Sequence, residues 1–412
     1  MKNIELLAPA GNLSRLKVAL AYGADAVYAG GDSFSLRVRA KNFTDEELTE
    51  GIRYTHKLGK KFYLALNVIP HNDDIDSFIE YVKEVKKLKP DAFIISDLGA
   101  FNLAKEYAPE IPIHISTQAN NVNYATVDAW HKMGAERVVL ARELSFDEVK
   151  TIREKTSPDL ELEAFIHGAM CISYSGRCLL STYMTGRESN SGDCAHPCRW
   201  NYTLMEEKRE GEYFPVYEND RGTYIFNSKD MCMIEHIPEL INSGVTSFKI
   251  DGRVKTEFYV ATVVGTYRRA IDAYLKNPDE YKFNPDWLNE LSKVSNRGYT
   301  TGFWFEKPDE NTQNTKDGGY VRTYDLAALF ERNENGKCVF TQKNKLSVGD
   351  TIEIILPNEE PFSYTIDKMW DENGEEIDTA PHPLQLFMLD IKRELPEFSM
   401  IRKKTNGGTL NV

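Results

Sequence analysis

The sequence predicts an α/β fold, a (β/α)8 TIM-like barrel with a Cys-rich insertion after strand 7, followed by a small all-β C-terminal domain. Three observations carry this reading. Between residues 5 and 275 short apolar runs alternate with helical segments, the pattern of parallel strands joined by crossover helices. Eight such units can be counted, enough to close a barrel. No GxGxxG phosphate loop follows the first run, which argues against an open doubly wound sheet. At 412 residues and 41% hydrophobic content, the chain exceeds a typical single domain and leaves room for a second.

Taken in order, the apolar runs predict strands at 5–9, 26–29, 61–68, 92–96, 113–116, 137–141, 161–166 and 247–250. Helices between them start at small polar caps followed by acidic residues, as in Thr44-Asp45-Glu46-Glu47 and Ser145-Phe146-Asp147-Glu148, or at Asn12-Leu13-Ser14. Several stop at a glycine, in Tyr22-Gly23, Leu58-Gly59, Met133-Gly134 and Ser243-Gly244. A long helix is expected over 257–275, ended by Asn277-Pro278, and another over 285–294, closed by a turn at Asn296-Arg297-Gly298-Tyr299. Beyond residue 320 the pattern changes to short alternating runs at 320–324, 339–341, 350–355, 363–369 and 385–388. Turn signals at Asn335-Gly336, Val348-Gly349 and Glu372-Asn373-Gly374 separate them, as in a small β-barrel or sandwich. The expected organisation is thus a barrel over 1–278 carrying a cluster-binding insertion at 168–227, a helical linker over 279–318, and a β-barrel-like domain over 319–412.

Five of the six cysteines, Cys171, Cys178, Cys194, Cys198 and Cys232, crowd into and just beyond that insertion; only Cys338 lies elsewhere. Gly168, Gly176, Gly186 and Gly192 with Ser173, Ser175 and Ser181 make the stretch a loop, so separately buried thiols do not suit it. The chain opens Met1-Lys2-Asn3-Ile4-Glu5 with no signal segment and no apolar run of about 20 residues, which predicts a cytoplasmic protein without a membrane partner. In that compartment thiols stay reduced, and metal binding outranks disulfides. Zinc sites pair their ligands two to four residues apart, which only Cys194 and Cys198 match. Irregularly spaced loop thiols suit an iron–sulfur cluster better.

Insertions after a barrel strand sit at the carboxyl face, where barrel enzymes do their chemistry. Polar residues at the strand ends should face the same pocket: Asn67, Asp97, Gln118, Arg142, Glu143, His167, Lys249, Asp251 and Arg253, with Arg37 and Arg39 in the loop after strand 2. Of these, His167, Glu143, Asp97 and Gln118 are the candidate catalytic groups, with His167 and Glu143 able to serve as an acid–base pair or merely to orient one another. Arg37, Arg39, Asn67, Arg142, Lys249, Asp251 and Arg253 are the candidate substrate-binding groups, a set that suits a polar or anionic small molecule because guanidinium forks match carboxylate and phosphate. No HExxH, no GxSxG and no Cys/His/Asn set is present, so hydrolysis lacks a recognisable engine. The net charge of −13 excludes a global basic field, so nucleic acid would need a local patch. Arg177, Arg187, Arg199 and Arg221 around the insertion, and Arg402, Lys403 and Lys404 in the tail, are the residues that could form it.

The stretch Glu163-Ala164-Phe165-Ile166-His167-Gly168-Ala169-Met170-Cys171-Ile172-Ser173-Tyr174-Ser175-Gly176-Arg177-Cys178-Leu179-Leu180-Ser181 resembles the signature of the collagenase-like peptidases of unknown catalytic type. The opening Glu5-Leu6-Leu7-Ala8-Pro9-Ala10-Gly11, the run Cys194-Ala195-His196-Pro197-Cys198-Arg199-Trp200, and Asn227-Ser228-Lys229-Asp230-Met231-Cys232 resemble it too. The resemblance implies an oxygen-independent hydroxylase carrying a [4Fe-4S] cluster, and the single compact β tail is most similar to the branch that converts the wobble uridine of tRNA to 5-hydroxyuridine with prephenate as co-substrate. It implies Cys171, Cys178, Cys194 and Cys232 as ligands, with Cys198 able to replace Cys232. The expected partners are the tRNA anticodon arm, a small anionic co-substrate and an electron donor that the sequence does not name. The family name itself offers the alternative of a collagenase-like peptidase, and a hydroxylase of another RNA or small molecule is a third.

Overall fold

A ring of eight parallel strands needs every strand to find two neighbours, and the apolar runs of this chain do so in sequence order. The computed structural model describes residues 4–35, 42–171, 178–187, 194–199, 217–219, 222–224, 228–306 and 320–405. Its first seven strands are β1 (Glu5–Pro9), β2 (Ala26–Ala29), β3 (Lys61–Leu66), β4 (Ala92–Ile95), β5 (Ile113–Ile115), β6 (Arg137–Val139) and β7 (Glu161–Gly168). A hairpin of β8 (Tyr217–Asn219) and β9 (Gly222–Tyr224), then β10 (Asp230–Cys232), precede β11 (Ser247–Ile250). β11 pairs in parallel with both β1 and β7, and that double pairing closes the barrel.

Around the ring run α1 (Leu13–Ala21), α2 (Asp45–Lys57), α3 (Ile75–Val85), α4 (Leu98–Tyr107), α5 (Tyr124–Lys132), α6 (Phe146–Lys155), the short α7 (Leu180–Thr185) of the insertion, α8 (Ile237–Asn242) and α9 (Glu257–Lys276). The expected capping boxes are formed: Thr44 accepts from Glu47 N and Ser145 from Glu148 N, each with the reciprocal carboxylate bond, which fixes where α2 and α6 begin. Gly23 (φ +99°) and Gly244 (φ +86°) take the left-handed conformation that stops α1 and α8.

The expected strands at 61–68, 92–96, 113–116 and 137–141 end earlier, at Leu66, Ile95, Ile115 and Val139. β7 instead runs two residues past its expected end, since β10 returns from the insertion and pairs antiparallel with it, Cys232 opposite His167 and Met231 opposite Gly168. That return strand is not visible as a pattern in so short a run.

Inside the barrel a middle layer of Leu7, Ala26, Tyr28, Tyr63, Ala92 and Ile94 sits over a buried ionic floor. Arg137, 2% exposed, reaches Glu5 at 2.5 Å, Glu163 at 3.1 Å and Glu161 at 2.5 Å. Burial alone would raise the Glu5 carboxyl, but Arg137 and three hydrogen bonds outweigh it and hold it below its ordinary value.

After α9, α10 (Pro285–Leu291) ends three residues short of the expected 294, and β12 (Tyr299–Thr300) pairs in parallel with β10 where only a turn was expected. The second domain is an antiparallel sheet of eight strands curled round its own core. Its long strand β13 (Tyr324–Glu334) turns at Asn335-Gly336 into β14 (Lys337–Gln342). The run expected at 320–324 instead bridges through Val321 to Asn296, and the one at 363–369 splits into Phe362–Thr365 and Met369–Asp371. Met400–Lys404, read from sequence as a basic tail, is a central strand between β13 and Thr351–Ile355. Arg402 is fully buried there, donating to Glu290 of α10 at 2.7 Å and to Glu353 at 2.5 Å, and Lys403 pairs with Asp350 at 2.6 Å. Arg402 is therefore an interior ion-pair partner and not part of a surface patch for nucleic acid, whereas Lys403 is partly exposed and Lys404 exposed.

Candidate active site

At the carboxyl ends of the strands the side chains that sequence alone grouped together take quite different stations. Asn67, Gln118 and Ser116 form one hydrogen-bonded group: Gln118 Oε1 accepts from Asn67 Nδ2 at 3.2 Å and from the Ser116 hydroxyl. Arg142 lies flat on the Phe165 ring, 3.8 Å from its centroid, pairs with Asp251 at 3.3 Å and donates to the Ala169 carbonyl. Burial works against its charge, yet Asp251 and the nearby Cys171 more than offset that and raise its pKa. Arg253, 7% exposed, donates to Ser35 Oγ at 2.6 Å with its guanidinium 5.9 Å from the Tyr28 ring centre. A Cβ at Gly11 would stand 1.9 Å from the Arg253 carbonyl oxygen, and one at Gly30 2.7 Å from Arg253 Nη1. The glycine of the opening motif therefore lets the first loop close onto Arg253.

Other candidates are placed differently. Lys249 is 4% exposed, below the rim, with its ammonium 2.6 Å from Glu163 and 4.4 Å from the Tyr28 ring centre. Burial lowers its pKa although Glu163 opposes this. Its place is among the interior charges, paired with Glu163. Asp97 caps α4, accepting from Ala100 N at 2.9 Å. Glu143 is half-buried beside Arg142. Arg37 and Arg39 lie outside the described residues, as do Arg177 and Arg221.

His167 does not bond Glu143. Its Nδ1 stands 3.4 Å from the Tyr267 hydroxyl, and its ring is walled by Tyr259, Tyr267 and Tyr299 at centroid distances of 6.0, 5.5 and 5.4 Å. Burial pushes its pKa down to about 4, so the imidazole is neutral at physiological pH. Sequence reasoning missed this tyrosine cage, and it missed Arg297, which forks onto Asp230 at 2.7 and 3.0 Å with 2% exposure. The signal was there in part: Asp230 stands in the motif ending at Cys232, and Arg297 directly precedes a glycine.

The thiols bear on whether iron–sulfur fits. Cys232 Sγ is 3.7 Å from the Tyr267 hydroxyl, and burial pushes its pKa up to about 12, a dry position where only a bound cation would balance a thiolate. Cys171 is exposed at the rim, near both Arg142 and Arg297. Cys194 Sγ accepts the His196 amide at 3.3 Å across a left-handed turn (φ +56°), the kind of bond that supports metal-bound sulfur. In chemistry the donors fit iron. Among the described residues, however, no three His, Cys, Asp or Glu side chains are gathered to hold a metal ion. No helix among them is long and apolar enough to cross a membrane.

Comparison with known proteins follows the same division of the chain. The profile of peptidase family U32 matches residues 11–314, and that of the peptidase family U32 C-terminal domain matches 322–402. Among similar proteins, tRNA hydroxylation protein P1 of Bacillus subtilis (strain 168) is 40% identical, covering 98% of this chain and 95% of its own length. tRNA hydroxylation protein P of Escherichia coli (strain K12) is 39% identical and covers 98% of each chain. A Methanocaldococcus jannaschii protein named as an uncharacterized protease is 42% identical over 86% of this chain and 87% of its own.

Proposed function

The chain belongs to peptidase family U32, and from that membership we propose that it hydroxylates tRNA, converting the wobble uridine to 5-hydroxyuridine without molecular oxygen. The observation that carries the reading is the end-to-end similarity, across both domains, to two proteins named for tRNA hydroxylation. A third relative, at 35% identity over 66% of this chain and 40% of its own length, is named as the 23S rRNA 5-hydroxycytidine C2501 synthase of Escherichia coli (strain K12), so hydroxylation of RNA recurs in the names of the relatives. Peptidase chemistry finds less support: among the described residues His167 is bonded to a tyrosine and not to a nucleophile.

The wobble base is presented in a loop, so taking it into the barrel mouth costs less than extracting it from a duplex. Arg142 and Arg253 give that mouth a cationic lining for an anionic co-substrate, prephenate. Cys171, Cys178, Cys194 and Cys232, with Cys198 in reserve, would hold a [4Fe-4S] cluster at the rim. Such a cluster supplies one-electron transfer beside the pocket. Around it the chain's own residues shape the site: the tyrosine cage keeps His167 unprotonated, and Phe165 keeps the Arg142 plane fixed.

Nucleoside mass spectrometry of tRNA from a strain lacking the gene checks the proposal. Loss of 5-hydroxyuridine and its derivatives, restored by the gene, is the expected result; an unchanged nucleoside profile sinks it. Anaerobically purified protein should carry about four irons and four sulfides per chain. Zinc alone, or no metal, would remove the cluster from the account.

A further inference from the structure

Two hydrogen-bond donors at the barrel mouth are left without acceptors among the described residues. Gln118 follows β5, and its Oε1 is doubly occupied, by Asn67 Nδ2 at 3.2 Å and by the Ser116 hydroxyl. With both bonds on the oxygen, the amide is held one way round, and its Nε2 has no partner among the described residues. Arg142 follows β6, the strand paired with β5. Its Nη1 donates to Ala169 O, its Nη2 faces Asp251 at 3.3 Å, its plane is pinned on Phe165, and its Nε is buried without a hydrogen-bond partner. The side chain is 11% exposed. A buried guanidinium N–H lacking an acceptor costs on the order of 1–3 kcal/mol, so in a native site it usually points to an acceptor supplied from outside the chain.

We propose that Gln118 Nε2 and Arg142 Nε are the donors that grip acceptor oxygens of the ligand entering the mouth, with Asn67 the positioning residue that keeps Gln118 in its donating orientation. The ligand chemistry is that of oxygens on a planar, delocalised group. A uracil carbonyl edge and a small-molecule carboxylate both present it. The choice between them rests on the RNA-hydroxylation reading; the donor pair itself does not.

Isothermal titration of the purified full chain with uridine and, separately, with prephenate tests this, and the probe that binds identifies the source of the oxygens. For that probe Gln118→Leu is expected to weaken binding about tenfold, the loss of one hydrogen bond. Arg142→Lys keeps the charge but removes Nε–H and should weaken it at least about tenfold. Asn67→Asp replaces the donor facing Gln118 with an acceptor and turns the Gln118 oxygen outward. It should cost as much as Gln118→Leu, and the double variant should be no worse than either single one, a non-additivity that a merely structural role does not produce. Variants that bind like the unmodified chain, additive losses, or failure of both probes to bind the unmodified chain would overturn the donor pair. Weakened probe binding together with unaltered 5-hydroxyuridine in cells carrying the same variants would leave the donor pair standing and remove the RNA reading instead.

Discussion

Protonating either histidine inside the barrel would put a charge where water does not reach. His114 is 4% exposed against the Tyr63 ring at 4.7 Å, and His167 is 2% exposed within its tyrosine cage. Burial, first among the causes, holds His114 well below the usual imidazole value and His167 at about 4. The unfolded chain takes up these protons as the pH falls below about 6.5 while the folded chain refuses them, so stability is lost on acidification through that window. His167 alone should cost about 2 kcal/mol between pH 7.5 and 5. Carboxylates with lowered values, such as Glu5 and Glu290, act only at more acidic pH. Urea midpoints at the two pH values check this, and equal midpoints would refute it; His167→Gln should flatten the dependence. Gly11→Ala tests the closed loop: a methyl 1.9 Å from the Arg253 carbonyl should lower stability by about 1–3 kcal/mol, read as a drop in melting temperature. At this scale barrel topology lets sequence assign residues to the strand ends, but not the station each side chain takes there. For Lys249, residue type does not say whether the ammonium meets solvent or, as here, a buried Glu163.

Helix starts and barrel strands were the easiest elements to read, because capping chemistry and runs such as Ala26–Ala29 are local signals that tertiary packing did not override here. The elements that escaped are those specified by distant partners. β10 is three residues long and exists because β7 and β12 flank it. Met400–Lys404 has three basic residues in five, and it becomes a central strand because Glu290 and Glu353 await Arg402. Arg402→Met should therefore cost about 3 kcal/mol or more, since it leaves two largely buried carboxylates to share the Lys293 ammonium, with the Tyr324 hydroxyl as a further donor to Glu353. Lys403→Ala, removing a partly exposed pair with Asp350, should cost no more than about 1 kcal/mol. Chemical denaturation of the two variants side by side reads the contrast, and equal effects would contradict the burial argument.

The two domains do not stand apart. Ile355 and Met400 of the second domain are buried in the same apolar cluster as the barrel helices, and Tyr22 of the barrel donates to the Phe398 carbonyl at 3.0 Å. A shared core implies a single cooperative unfolding transition by calorimetry, despite two family profiles meeting near residue 320. Two resolved transitions would show that the interface is weaker than its packing suggests. The boundary between domains was visible in sequence as a change of period; their fusion was not, because it depends on which faces meet.

Cys232 and His167 are cross-strand partners in one ladder, so the wall of the pocket and the return leg of the insertion share their backbone hydrogen bonds. Whatever that sulfur grasps is thereby anchored to the floorboards of the chamber and not to a swinging door. Cargo lost from the rim should register first as slackness in the seventh stave of the cylinder, detectable as faster amide exchange there, with no large movement anywhere.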